Sequence, residues 1–387
     1  MSAARKKNSE PQRQAVLYVR ISDDPEGLEK GLDRQETDCR AFADAHNMTV
    51  VEVFRENDTS ALKQRTITLP SGEKVRRVVR PRFRAMLQRL SKGGEDAIVT
   101  YDLDLLLTTV FVTADDLLPE STKNVMRRVT EAEVVTLAVA QAIMGIPSDR
   151  RFLAVAGKRL KHLFPVIPQQ SGYLKRRRRL TESLAWLMGT FATQSPGFYD
   201  DLLLVDSTPV ECARSRETVK RSALADAADY GYCASHSRYF WGFRSHALFS
   251  PDGTPRAIEL RSPKLDEREV AISMLERLRR DGPLTMIGDK GYTGREFKTQ
   301  LEALNVTIIR PRRKDETGQG PHLAPIRQWI ESIFWTCKDL LTLERHGART
   351  LPGLRTRILA RFCCLAACVT LNHQLGRKSR ALVDYCA

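Results

Sequence analysis

No stretch of this chain stays apolar for long enough to cross a bilayer: the longest, Leu106 to Val112 and Val134 to Ile146, are too short or too broken by polar residues. That excludes a helical membrane protein, and no membrane is expected among its partners. The opening residues, MSAARKKNSEPQRQ, lack the apolar centre of a secretory signal or an anchor, so the expected location is the cytoplasm, in association with the nucleoid. The eight cysteines, at 39, 212, 233, 337, 363, 364, 368 and 386, include no CxxC pair with matching histidines. This speaks against zinc and more strongly against a disulfide framework. They read as reduced packing residues, with Cys364 and Cys368 on one helical face. Acidic charge is also short, 47 Asp and Glu against 62 Lys and Arg, an excess of +15 that favours polyanionic partners such as nucleic acid.

At 387 residues the chain exceeds one ordinary hydrophobic core, and its 42% apolar content is that of a soluble globular protein, so two or three domains are expected. Residues 1–13 read as a basic, disordered tail. From 14 to 104, strand and helix alternate: AVLYVRIS and MTVVEVF as strands, Asp33–His46 and RPRFRAMLQRLSKG as helices, then DAIVTYDLD as a third strand. Ser60 to Arg80 reads as a mobile, basic insertion around the turn PSGEK. Over 105–197 the period becomes helical, with Thr130 placed to cap VTEAEVVTLAVAQAIMGI. Arg150, Arg151, Lys158, Arg159, Lys161 and the run KRRRR at 175–179 make this stretch either a DNA-binding module or a solvated helical face.

Strands return over 198–387. FYDDLLLVDSTPVE is one, WGFRSHALFS and TPRAIELRS form a hairpin around PDG, and PLTMIGDKG and VTIIRP follow. Helices are expected at Glu267–Arg280, Arg295–Leu304 and about His322–Leu343. The pattern predicts a mixed sheet with helices on its faces. Asp206 and Asp289 each end an apolar strand, which puts a carboxylate at a sheet rim, and Glu331 lies in the late helix. Three acids brought together need a cation among them, and oxygen ligands suit Mg2+ or Mn2+. Taken singly, Asp206 could cap a turn and Glu331 could be a surface residue.

The strings VDSTPVE, KRSALADAADYGYCASHSRYFWGFR, IGDKGYTG and IRQWIESIFWTCKDLLTLERHGART resemble, in order, the motifs of the DDE transposases of bacterial insertion sequences. The last matches the Y-x2-R-x3-E-x6-K signature at Arg327, Glu331 and Lys338, with Ala324 in place of the tyrosine. The resemblance covers about 103–387 and implies a ribonuclease-H-like fold with Asp206, Asp289 and Glu331 as catalytic and metal-holding triad. It also implies double-stranded DNA, at element ends and target, as partner, and a homodimer or higher assembly on that DNA. Arg327, Lys338, Lys290, Lys220, Arg221 and Arg244 are the candidate phosphate contacts, though each could equally be a solubilising charge. His236, Tyr239 and Trp241 form an aromatic stretch that could stack on a distorted DNA end, with core packing the better reading of Trp241. His346 belongs to a family-like motif, ERHGART, without an assignable role.

The first hundred residues resemble instead the catalytic domain of serine recombinases, the resolvase and invertase family. YVRIS offers Ser22 as nucleophile and Arg20 beside it; DRQ at 33–35, ENDTSA at 56–61 and RPRF at 80–83, with Arg80, continue the match. A serine needs arginines to stabilise the attacking oxygen and the transition state. The strand end that carries two such arginines in that family is DLDLLLT here, with Leu105 and Leu107 in their places. The expected architecture is therefore α/β and multidomain: a truncated resolvase-like α/β unit, a helical basic middle segment and a ribonuclease-H-like mixed-sheet catalytic domain. The expected activity is metal-dependent cleavage and strand transfer of DNA. Its alternatives are a serine recombinase acting through Ser22, or a decayed fusion that only binds DNA.

Overall fold

The computed structural model describes residues 13–20, 30–45, 47–56, 64–68, 74–78, 81–90, 97–99, 102–118, 128–233, 237–278, 282–312 and 323–386. The chain divides into two compact units, one of residues 1–105 with 156–167, the other of residues 106–155 with 168–387. Among the described residues no helix is long and apolar enough to cross a membrane.

In the first unit a parallel sheet runs in the order β2 (Met48–Glu56), β1 (Arg13–Arg20), β5 (Ala97–Val99). The run Ala15 to Val19 is wholly buried, as a central parallel strand covered on both faces must be. Helix α1 (Lys30–Ala45) lays Leu32, Cys39 and Ala43 against Ala15, Leu17 and Val19. Arg55 at the end of β2 ties that helix down through Asp33 and Glu36, both at 2.6 Å. Helix α2 (Pro81–Leu90) contributes Phe83, whose ring meets Tyr18 edge-on at 5.3 Å, and the Tyr18 hydroxyl donates to buried Glu56.

Three sequence expectations are corrected here. Arg13, assigned to the tail, already pairs with Met48 in β1, while residues 1–12 lie outside the described residues. The stretch expected as a mobile insertion carries an antiparallel ribbon, β3 (Gln64–Thr68) against β4 (Lys74–Val78), and the β-branched Thr66, Ile67, Thr68, Val75 and Val78 suit those strands. The third strand stops at Val99, and helix α3 (Asp102–Leu117) takes over. Asp102 and Asp104 in its first turn suit a helix N-terminus rather than a strand end. This helix runs unbroken through positions 104 and 105.

The helical part of the second unit is α4 (Glu131–Ile143), α5 (Asp149–Arg159), which reaches into the first unit's residues, α6 (Gln170–Arg179) and α7 (Thr181–Gln194). Thr130 caps α4 as its sequence predicts, accepting from the Glu133 N–H while the Glu133 carboxylate accepts from Thr130. The sheet follows, built of β6 (Leu202–Ala213), β7 (Asp229–Cys233), β8 (Arg238–Phe249), β9 (Pro255–Arg261), β10 (Leu284–Ile287) and β11 (Val306–Ile309), with the five-residue α8 (Arg216–Lys220) after β6. Its order is β11-β10-β6-β8, and β7 and β9 share the far edge of the long β8. β10 is parallel to both β11 and β6; the other pairings are antiparallel. This is the mixed sheet the residue pattern predicts.

Helices α9 (Glu267–Glu276) and α10 (Arg295–Ala303) cover one face, with Val270, Met274 and Phe297 packed on Leu203, Val205 and Met286. Phe249 of β8 meets Phe334 of α11 (Ala324–Asp339) and Phe362 of α12 (Leu351–Gln374) on the other. Helix α12, buried on nearly all sides, also packs against α4 and α7. Six of the eight cysteines are buried.

Candidate active site

Strands β6 and β10 run side by side in parallel, with Leu204 opposite Ile287 as their last pair. Asp206 and Asp289 each follow two residues later, so two neighbouring strands, about 4.8 Å apart, deliver a carboxylate to the same rim. Each is fixed by a local backbone donor: the Ser207 N–H reaches Asp206 Oδ1 and the Gly291 N–H reaches Asp289 Oδ1, both at 2.7 Å. Gly288 between β10 and Asp289 is required by space, since a Cβ there would lie 2.7 Å from the Tyr292 ring.

The two aspartates line a cavity of about 710 Å3 with Ser207, Arg244, Glu267, Glu331, Trp335, Lys338 and Glu344. Glu331 enters from α11 and is exposed. The structure therefore gathers all three predicted acids around one space. Burial pushes the Asp206 carboxyl up to about 7; the Ser207 N–H and Arg244 oppose this, and the charges of Glu267 and Asp289 add to it. An all-oxygen donor set, with a carboxylate short of positive charge at its floor, fits a hard divalent cation. The acids line the cavity without closing into a cage: among the described residues no three His, Cys, Asp or Glu side chains form a ready-made metal cluster.

The predicted phosphate contacts divide. Lys338 lines the cavity and pairs with Glu344 at 3.4 Å, and Lys290 is exposed beside Asp289. Arg244 also lines it but is already engaged, donating to Ser207 Oγ, to Glu267 and to the Tyr232 carbonyl. Lys220 and Arg221 lie away from the cavity lining, exposed at the end of α8, both turned toward Glu217. Arg327 falls on α11 one turn before Glu331, and Ala324 begins that helix.

Trp241 is core, whereas Tyr239 is 77% exposed and stacks obliquely on Tyr232 at 5.1 Å; His236 lies outside the described residues. His346 is buried and stapled: Nδ1 accepts from the Ala348 N–H and Nε2 donates to the Glu211 carbonyl, both at 3.1 Å. Its motif holds the loop after α11 onto β6. The basic run 175–179 is likewise divided, with Arg177 buried among Asp149, Gln141 and Tyr173, Arg176 bonded to the Val129 carbonyl, and Lys175, Arg178 and Arg179 exposed.

Two groups escape sequence reasoning, Glu267 in the cavity lining and Tyr292 in the core beside Val205. Glu267 opens α9 behind its N-cap Asp266 and reads in sequence as an ordinary first-turn acid. Tyr292, in IGDKGYTG, reads as core. Only the sheet topology brings them near Asp206 and Val205. Of the recombinase-like residues, Arg20 ends β1, while Ser22 and Arg80 lie outside the described residues. Leu105 and Leu107, where arginines would stand, are buried in α3.

Residues 198–367 match the transposase DDE domain, and residues 15–115 match the N-terminal domain of resolvases. The chain joins a resolvase-type domain to a transposase DDE domain. The resolvase match ends within α3, past the join read from sequence. The cavity with Asp206, Asp289 and Glu331 lies entirely inside the DDE domain. No curated protein matches the chain.

Solved structures overlay in part. The piggyBac transposase in its synaptic complex with hairpin DNA is 11% identical, with 74% of this chain and 78% of that one covered at a TM-score of 0.37. The catalytic domain of Mos1 mariner transposase is 13% identical, with 50% and 93% covered at 0.19. Overlays this loose carry no argument about activity.

Proposed function

We propose that the DDE domain cleaves and rejoins DNA phosphodiesters at the ends of a mobile element, with Asp206, Asp289 and Glu331 as the acids that hold Mg2+ or Mn2+. The observation that carries this reading is the convergence of two strand-end aspartates and a helix glutamate on one cavity within a DDE-matched segment. When bound, the ions supply Lewis-acid activation of the attacking oxygen and stabilisation of the leaving oxygen.

The chain's own residues do the rest. Lys338 at the cavity edge and Lys290 beside Asp289 supply positive charge for the phosphates flanking the scissile one. Arg327 on α11, Lys220 and Arg221 on α8, and Arg244 extend that set. We assign the helical stretch 105–197, through exposed Lys175, Arg178 and Arg179, to holding the DNA ends. Two ends processed together imply two copies on DNA.

The test uses a labelled end fragment, the purified full chain and Mg2+ or Mn2+, with and without chelator. Asp289→Asn is expected to abolish cleavage while DNA binding survives; cleavage retained by that variant sinks the assignment. The resolvase match favours a second reading, in which Ser22 attacks phosphate without metal and Arg20 and Arg80 stabilise the transition state. A chelator-resistant product covalently linked to protein and lost in Ser22→Ala would establish it. Buried Leu105 and Leu107 weigh against it, because they offer no charge to that transition state.

A further inference from the structure

The cavity holds one carboxylate beyond the family motifs. Glu267 lines it with Asp206 and Asp289, and the Ser207 hydroxyl at 3.0 Å and the Arg244 guanidinium both donate to its Oε1. Among the described residues nothing donates to its Oε2. Electrostatically Glu267 acts on Asp206 more strongly than Asp289 does.

Tyr292 provides a second, independent sign. Its ring packs in the core with Val205, Val270 and Phe297 and is 1% exposed, yet its phenol oxygen has no hydrogen-bond partner among the described residues. The ring lies against Gly288, next to Asp289, and packs with Val205, next to Asp206. A buried O–H with nothing to give it to destabilises the fold. This one is a buried donor for which the described residues supply no acceptor.

We infer that Glu267 shares a divalent cation with Asp206 and Asp289, and that Tyr292 donates to an oxygen bound on that cation. The inference rests on the metal-dependent reading above. Arg244 sets the geometry: by occupying Oε1 it fixes the Glu267 side chain and leaves Oε2 to the cavity. A Glu267 that served only as the partner of Arg244 would act on cation affinity through its charge alone, which Glu267→Asp preserves.

The experiment is calorimetric titration of MnCl2 into the full chain without DNA, for wild type, Glu267→Gln, Glu267→Asp, Tyr292→Phe, Asp206→Asn and Asp289→Asn. Thermal unfolding in chelator checks that each variant folds. Glu267→Gln is expected to weaken Mn2+ binding about tenfold or more, in the range seen when groups around a metal are removed. Glu267→Asp keeps the charge that Arg244 needs and withdraws the carboxylate by one methylene, so it is expected to fall between, and it decides the matter if the glutamine variant does not fold. Tyr292→Phe removes one oxygen and is expected to weaken binding about threefold. Wild-type affinity in Glu267→Asp, with Asp206→Asn and Asp289→Asn impaired, overturns this inference alone. Wild-type affinity in Asp206→Asn and Asp289→Asn overturns the metal-dependent reading itself.

Discussion

Asp149 of α5 and Arg357 of α12 stand 208 residues apart in sequence and meet at 2.7 Å in the interior of the second unit. Arg177 of α6 joins them at 2.9 Å, Gln141 of α4 donates to the same aspartate, and Arg357 also donates to the Pro147 and His346 carbonyls. Asp149 thus ties α4, α6 and α12 to α5, and Arg357 adds the loop that staples onto β6. Burial works against the charge of the carboxylate, but Arg177 and Arg357 hold Asp149 below its ordinary value.

Removing Asp149 leaves two buried guanidiniums facing each other. Breaking a buried pair from one side costs about 3–5 kcal/mol. Asp149→Ala is therefore expected to lower the denaturant midpoint sharply at an unchanged m-value. A midpoint within error of wild type would show that the helices hold without this link.

The basic run offers a sharper test, because its residues split by burial. Arg177→Gln is expected to cost stability on the scale of the Asp149 change, whereas Arg178→Gln and Arg179→Gln are exposed and are expected to stay within about 0.5 kcal/mol of wild type. If the exposed pair touches DNA phosphates, their loss lowers the salt slope of DNA binding by about 0.9 per contact. An unchanged slope with both arginines gone would make them solubilising charge.

This division shows what a sequence can disclose. β6 and β10 were legible because an apolar strand that ends in aspartate combines period and chemistry in a few residues. KRRRR looks uniform in one dimension, and only the packing of α6 on α4 and α5 singles out Arg177. Helix α12 is illegible because LARFCCLAACVTL is apolar on almost every side, Arg361 apart, which leaves no stripe to mark a period. β7, DYGYC, exists because β8 is long enough to carry two partners on one edge, a tertiary cause that local propensity does not show. Glu267 and Tyr292 are hidden in the sequence for a related reason: the fold alone brings them near Asp206 and Val205.

Gly288 tests how tightly the aspartate rim is built. A Cβ at this position would sit 2.7 Å from Tyr292 Cδ2 and 3.0 Å from Val205 Cγ1, both in the core. Overpacking of this kind costs about 1–3 kcal/mol. Gly288→Ala is expected to lower the thermal midpoint and, by displacing Asp289, to reduce cleavage more than DNA binding. Equal losses of both would mean that the whole domain, not the rim, has given way.

The last prediction concerns pH. Burial lowers His346 to about 4, with Arg361 and Arg357 reinforcing it against the Glu211 hydrogen bond, and burial with Arg244 and Arg261 lowers His246 to about 4. Both ring nitrogens of His246 lack a partner among the described residues, so the imidazole gains nothing by charging. An unfolded histidine titrates near 6.5, so between 6.5 and 4 the unfolded chain takes up protons that the folded chain refuses. Stability is then full above pH 6.5 and falls as pH drops toward 4, by on the order of 3 kcal/mol for each histidine over the whole interval. In His346→Gln the loss between pH 7 and 4.5 is expected to shrink by about 2–3 kcal/mol, whatever the variant's stability at neutral pH. Denaturant unfolding at the two pH values measures that difference, and a slope as steep as wild type would show that His346 is charged in the folded chain and that the Glu211 staple is not held by a neutral ring.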